Sequence, residues 1–169
     1  VHARSVGDRG FTSLLFAARA GGLEAAKALL AGGANVNDSL SDGMSALVLA
    51  VANAQYDVAA FLLDQGADPN AAGQGWAPLH QITWTRRPNE GNVNPGPVPR
   101  GRVDSLSLVK KLLAAGADPN LRMTKDPERL YFGYSNLNPV GATPFLLATF
   151  RLDAPLVRVL LAAERLYIE

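Results

Sequence analysis

The residues able to do chemistry on a ligand are few, and most lie on one stretch. The chain has two histidines, His2 and His80. From His80 onward come Arg86, Arg87, Glu90, Arg100, Arg102, Asp104 and Ser105. Four arginines on one segment (Arg86, Arg87, Arg100 and Arg102) could hold a phosphate or carboxylate through charge-assisted forks. That makes an anion or small-ligand site, or a hydrolase built around it, one candidate. Asp104 and Ser105 have a simpler use, as the N-cap of a following helix. The chain has no cysteine, which excludes disulfides, thiolate metal sites and a thiol nucleophile. No His-Glu-x-x-His, Gly-x-Ser-x-Gly, P-loop or dinucleotide fingerprint is present. The carboxylates do not cluster at metal-ligand spacing. No cofactor or metal is therefore expected, and catalysis is the weaker expectation beside binding.

The elements that must position these residues are read from the whole chain. Its 169 residues fit one domain. Hydrophobic residues make up 48% and charged residues 18%, an ordinary globular balance. No stretch approaches the roughly 20 apolar residues of a spanning helix. Net charge is +1, from 16 Lys+Arg against 15 Asp+Glu. That balance does not favour nucleic acid or an anionic membrane as partner. Val1-His2-Ala3-Arg4 has no apolar signal core. The missing initiator Met leaves room for a removed leader or upstream domain. The compartment stays open between cytoplasmic and periplasmic or secreted.

A repeat organises the chain. Gly32-Gly33-Ala34-Asn35-Val36-Asn37 returns as Gln65-Gly66-Ala67-Asp68-Pro69-Asn70 and as Ala115-Gly116-Ala117-Asp118-Pro119-Asn120. Each copy follows a leucine pair: Leu29-Leu30, Leu62-Leu63 and Leu112-Leu113. A fourth pair, Leu160-Leu161, lacks that tail. Upstream of each pair comes Thr12-Ser13-Leu14-Leu15, Ser45-Ala46-Leu47-Val48, Ala77-Pro78-Leu79-His80 or Thr143-Pro144-Phe145-Leu146. Asn37 to Asn70 and Leu29 to Leu62 both give a period of 33.

Local physics converts this pattern into helix pairs. Thr12 and Thr143 can cap a first helix through the hydroxyl. Pro78 and Pro144 stand in a first turn, where no N–H is needed. Leu23 to Leu30 and Val58 to Leu63 carry apolar residues at helical spacing. Gly33, Gly66 and Gly116 stop the second helix at a left-handed residue. Asp-Pro-Asn then turns the chain away. One such unit cannot bury its own apolar face, but stacked units can.

A 33-residue period with these starts and endings resembles the ankyrin repeat, and the resemblance runs over nearly the whole chain outside two insertions. It implies an all-α solenoid of stacked helix-turn-helix units with short finger loops. The units fall at about 7–39, 40–72, 73–120 with an insertion at 86–103, and 139–164, with a long finger at 121–138. The Ala- and Gly-rich repeats resemble those of bacterial secreted members. His80 then takes the histidine of the Thr-Pro-Leu-His motif, a hydrogen-bonding position between neighbouring units.

Two segments depart from the pattern. Leu79 to Leu112 is 18 residues longer than the equivalent spans, and the excess, Arg86 to Val103, reads RRPNEGNVNPGPVPRGRV. Pro, Gly and Asn make it a loop. Asn120 to Thr143 is 15 residues longer than Asn37 to Ser45, and it carries Leu130-Tyr131-Phe132-Gly133-Tyr134. Such aromatics either pack on the stack or present a ligand surface. The fourth unit ends in Ala162-Ala163-Glu164-Arg165, without a polar cap. That end suits a fragment of a longer array, self-association with another copy, or a cap folded back from Leu166, Tyr167 and Ile168.

The resemblance also implies a scaffold that binds another protein through its concave face, made of finger tips and the exposed side of the first helices. Carried over by register, that face holds Phe11, Met44 and Trp76 after the finger glycines. Arg19, Asn53, Trp84, Phe150 and Arg151 stand at the helix ends, and Tyr131 and Tyr134 on the long finger. Aromatics and arginines are the types enriched in interface hot spots. The competing reading pins Phe11, Trp76 and Trp84 beneath neighbouring loops.

Overall fold

The computed structural model describes residues 10–86, 96–127 and 138–166. Within them the chain forms eight helices and no named strand. They are α1 (Ser13–Ala20), α2 (Leu23–Ala31), α3 (Ala46–Ala52), α4 (Tyr56–Asp64), α5 (Pro78–Arg86), α6 (Ser105–Ala114), α7 (Pro144–Phe150) and α8 (Ala154–Leu166). Sequence neighbours pair as helical hairpins. The first members α1, α3, α5 and α7 pack in one row, and α2, α4, α6 and α8 in a second. The result is a two-layer, all-α repeat stack.

The capping logic holds. Thr12, Ser45 and Thr143 side chains accept from the N–H of Leu15, Val48 and Leu146 at 3.4, 3.2 and 3.2 Å. Asp104 accepts from the N–H of Leu106 and Ser107 at 2.9 and 3.0 Å. Hydrogen bonding to the charged carboxylate, with Ser107 as the main donor, lowers the Asp104 pKa. Gly33, Gly66 and Gly116 adopt φ of +87°, +86° and +92°, ending α2, α4 and α6. α8 meets no such glycine and continues in helix to Leu166. Tyr167 and Ile168 lie outside the described residues.

The main core runs through the stack from Leu14 and Leu15 through Leu47, Val51, Leu62, Leu79 and Ile82 to Leu108, Leu112, Leu156 and Leu160. An asparagine ladder knits the loops behind it. Asn37 Oδ1 accepts from Asp68 N at 2.8 Å, and Asn70 Oδ1 accepts from Asp118 N at 2.7 Å. Asn70 also donates to Gly116 O at 2.9 Å. The trailing Asn of one unit thus grips the next unit's turn. A second, smaller core of Trp84, Met123, Ala142 and Leu147 joins the third unit to the fourth.

Candidate functional site

The finger-and-first-helix face is built from corresponding positions of α1, α3, α5 and α7. At its start, Arg19 is exposed and its guanidinium sits 5.7 Å from the Phe11 ring centroid, a cation–π distance. Phe11 itself is buried, with its ring 4.8 Å from that of Phe16. Met44 is half-buried against the core. Asn53 is also half-buried, and its amide donates to Leu49 O at 2.8 Å, closing the end of α3. Trp76 is half-buried and donates Nε1–H to Gln81 Oε1 at 2.8 Å. Trp84 is buried edge-to-face against Trp76, with centroids 5.9 Å apart at 82°. Phe150 is exposed at the end of α7. Arg151 is half-buried beside it, and desolvation lowers its pKa.

Two expectations for this face need correction. Phe11 and Trp84 were candidates for an exposed binding surface, and both are core residues. Phe11 packs on the α1 end of the main core, and Trp84 forms the centre of the smaller one. The cause for Trp84 is the long finger. Its base folds across α5: Met123 N donates to Ala142 O at 3.0 Å, and Thr124 N donates to Gly75 O at 2.9 Å. Tyr131 and Tyr134 lie outside the described residues. The remaining accessible members are Arg19, Met44, Asn53, Trp76, Phe150 and Arg151.

His80 is a joint between units. Its Nδ1 accepts from Ala77 N at 3.1 Å, which leaves Nε2 as the protonated nitrogen. Nε2–H faces Leu121 O at 2.9 Å and Ala142 O at 3.3 Å. Burial pushes its pKa down to about 4, against the two carbonyl hydrogen bonds, which favour the charged form. His80 is held neutral with both nitrogens engaged, a poor arrangement for a general base.

The arginine constellation is also rearranged. Arg86 ends α5 rather than opening the inserted loop. Its Nε donates to Asp153 Oδ2 at 2.8 Å and its Nη2 to Oδ1 at 3.2 Å. Nη1 donates to Ser105 Oγ. Asp153 is fully buried and accepts from Leu156 N at the start of α8. The expected anion at Arg86 is thus already supplied by the protein's own carboxylate. Tyr56, buried nearby, has its hydroxyl pKa pushed up to about 12 by desolvation, with the Arg86 charge opposing. Arg100 and Arg102 are exposed, and Arg87 lies outside the described residues. Asp57 accepts from the backbone N–H of Arg102 and Val103 at 3.0 and 2.8 Å, pinning the end of the insertion to α4. Arg86 is thus committed to Asp153 and Ser105, whereas Arg100 and Arg102 are exposed at the end of the insertion.

Sequence reasoning missed Asp153 and Asp57. Asp153 precedes Ala154-Pro155 and so reads as an N-cap, but nothing local shows that it meets a side chain 67 positions away. Among the described residues no His, Asp and Glu group is placed to hold a metal ion, and no helix is long and apolar enough to cross a membrane.

Comparison with known proteins agrees with this architecture. Residues 2–73 match the family model of ankyrin repeats in three copies. An ankyrin repeat-containing protein of Treponema pallidum (strain Nichols) is 37% identical over 78 residues. That alignment covers 43% of this chain and 26% of the relative, so the chain spans about a quarter of that relative's length. Ankyrin repeats generally serve as protein–protein interaction modules. Residues 2–73 are thus similar to ankyrin repeats, and the same paired-helix geometry continues from there through α8.

Proposed function

We propose that the chain binds a partner protein through its concave face, with Arg19, Met44, Asn53, Trp76, Phe150 and Arg151 as contacts and the two elaborated loops as flanks. Phe150 carries the reading. Counting from the first-helix caps, it shares its position with Arg19, Ala52 and Trp84. Trp84 is covered by the long finger, whereas Phe150 stands exposed with the half-buried Arg151 next to it. An aromatic with an adjacent guanidinium on a rigid helix end is an interface anchor with little entropy left to lose on binding.

The test is capture of host proteins by the chain beside a Phe150→Ala, Arg151→Ala variant, with helicity checked by circular dichroism. Loss of one specific captured protein at unchanged helicity supports the reading. Equal capture by both removes these residues from the interface.

A second reading, self-association through the fourth unit, is favoured by Leu146. The matching residues Leu15, Val48 and His80 are all fully buried, whereas Leu146 is 48% exposed. Light scattering over a concentration series tests it. A mass that stays monomeric throughout, and does not respond to Leu146→Lys, excludes it.

A further inference from the structure

On the back of the stack successive second helices pack against one another at three junctions, and the same two positions can be compared at each. One is the residue after the leucine pair of the earlier unit. The other is the residue before the leucine pair of the later unit. Across α2 and α4 these are Ala31 and Phe61, and Phe61 packs half-buried against the core. Across α4 and α6 they are Asp64 and Lys111, joined by an ion pair at 2.6 Å. Across α6 and α8 they are Ala114 and Val159, a pair with neither an aromatic ring nor a charge. There a groove of about 560 Å³ opens, lined by Lys110, Leu113, Ala114, Arg158, Val159, Ala162 and Ala163.

The groove is polarised. Lys110 and Arg158 stand at the same register, each two residues before its leucine pair, so both cations lie at one end. Both are exposed, and among the described residues neither forms an ion pair and no carboxylate lines the groove. The rest of the lining is aliphatic. We infer that the α6–α8 groove binds an unesterified aliphatic carboxylate, its head between Lys110 and Arg158 and its chain along Leu113, Ala114, Val159 and Ala162. The volume falls in the range of roughly 300–1,000 Å³ typical of small-molecule sites. The lining spans little more than one helical turn on each helix, too short to seat a partner helix. Two adjacent cations favour an anionic head and disfavour a cationic one.

The probe is dodecanoate below its micelle concentration, titrated into the full chain and followed by calorimetry and by the methyl signals of Ala114, Val159 and Ala162. The expected result is saturable one-site binding that shifts those methyls, with dodecyltrimethylammonium roughly tenfold weaker or worse. Lys110→Ala with Arg158→Ala weakens dodecanoate by a similar factor, and both sites are surface positions that leave the core intact. Ala114→Asp with Val159→Lys rebuilds across this groove the bridge seen at Asp64 and Lys111, and abolishes binding. Absence of saturation overturns the inference, as does equal affinity for the cationic amphiphile. Undiminished binding by the bridged variant, or methyl shifts with phosphatidylglycerol vesicles that match those with dodecanoate, also overturns it.

Discussion

The seam between the first two units and the seam between the last two are made of different materials. Leu14, Leu15, Ala18, Leu47, Ala50 and Val51 meet between α1 and α3, all buried and all hydrocarbon. Between the third and fourth units, His80 and the Arg86–Asp153–Ser105 cluster stand among the apolar contacts. A hydrocarbon seam is non-directional and indifferent to pH. A buried polar seam holds only when every partner is present, and losing one strands the rest. The stack should therefore be robust at one end and conditional at the other, and the conditional end carries the long finger and Phe150.

The largest expected break is Asp153→Ala. It removes the counterion of Arg86 and the cap of α8 together. Breaking a buried pair by removing one partner costs about 3–5 kcal/mol. Urea unfolding should show a loss of that size, and amide exchange should place it in α7 and α8 while α1 to α4 stay protected. Uniform loss of protection along the chain would show the two seams to be one cooperative unit.

Acid should divide the two regions in the same way. His80 titrates near 6.5 when unfolded and at about 4 in the fold, where burial opposes its charge. Between those values the unfolded chain binds the extra proton, so stability is full above pH 6.5 and falls as pH drops towards 4. The total is on the order of 3 kcal/mol. His80→Gln should flatten that part of the pH profile. An unchanged slope would mean that other groups carry the acid sensitivity.

A smaller effect tests the anchor of the first insertion. Gly101 has φ of +117°, and a Cβ there would lie 2.4 Å from Asp57 Oδ2. Gly101→Ala should cost about 1–3 kcal/mol, through backbone strain and loss of the Arg102 and Val103 hydrogen bonds. Asp57→Ala should release the same loop with α4 intact. If neither variant changes exchange at residues 101–103, the loop is held by something other than this carboxylate.

What the sequence made legible follows from distance along the chain. The caps Thr12, Thr143 and Asp104, the stops Gly33, Gly66 and Gly116, and the leucine pairs act within one helical turn, and the structure repeats them as read. Read locally, Trp84 stays between binding and packing, and Arg86 points to a ligand, because their partners are remote: Met123 and Ala142 for one, Asp153 for the other. The open groove was invisible for a different reason. Ala114 and Val159 are unremarkable in their own helices, and only comparison with Asp64–Lys111 and Ala31–Phe61 reveals what is missing between them.

The finest contrast lies at one backbone position shared by the two regions. Gly21, Ala54 and Leu152 follow the first helix at the same register, with φ of +78°, +54° and +54°. Only glycine adopts that conformation freely, and an L side chain there costs roughly 1–2 kcal/mol. Leu152 is 82% exposed, so its side chain offers little packing in return. Glycine's larger unfolded-state entropy offsets part of the relief. Leu152→Gly should therefore stabilise the protein by about 1 kcal/mol, read as a shift in the urea midpoint at constant slope. Ala54 is fully buried, so Ala54→Gly relieves the same strain but deletes a packed methyl, and the two effects should roughly cancel. If both variants stabilise equally, burial at Ala54 contributes nothing. If neither does, the left-handed turn is held without strain, and the two ends of the stack differ only in their polar seams.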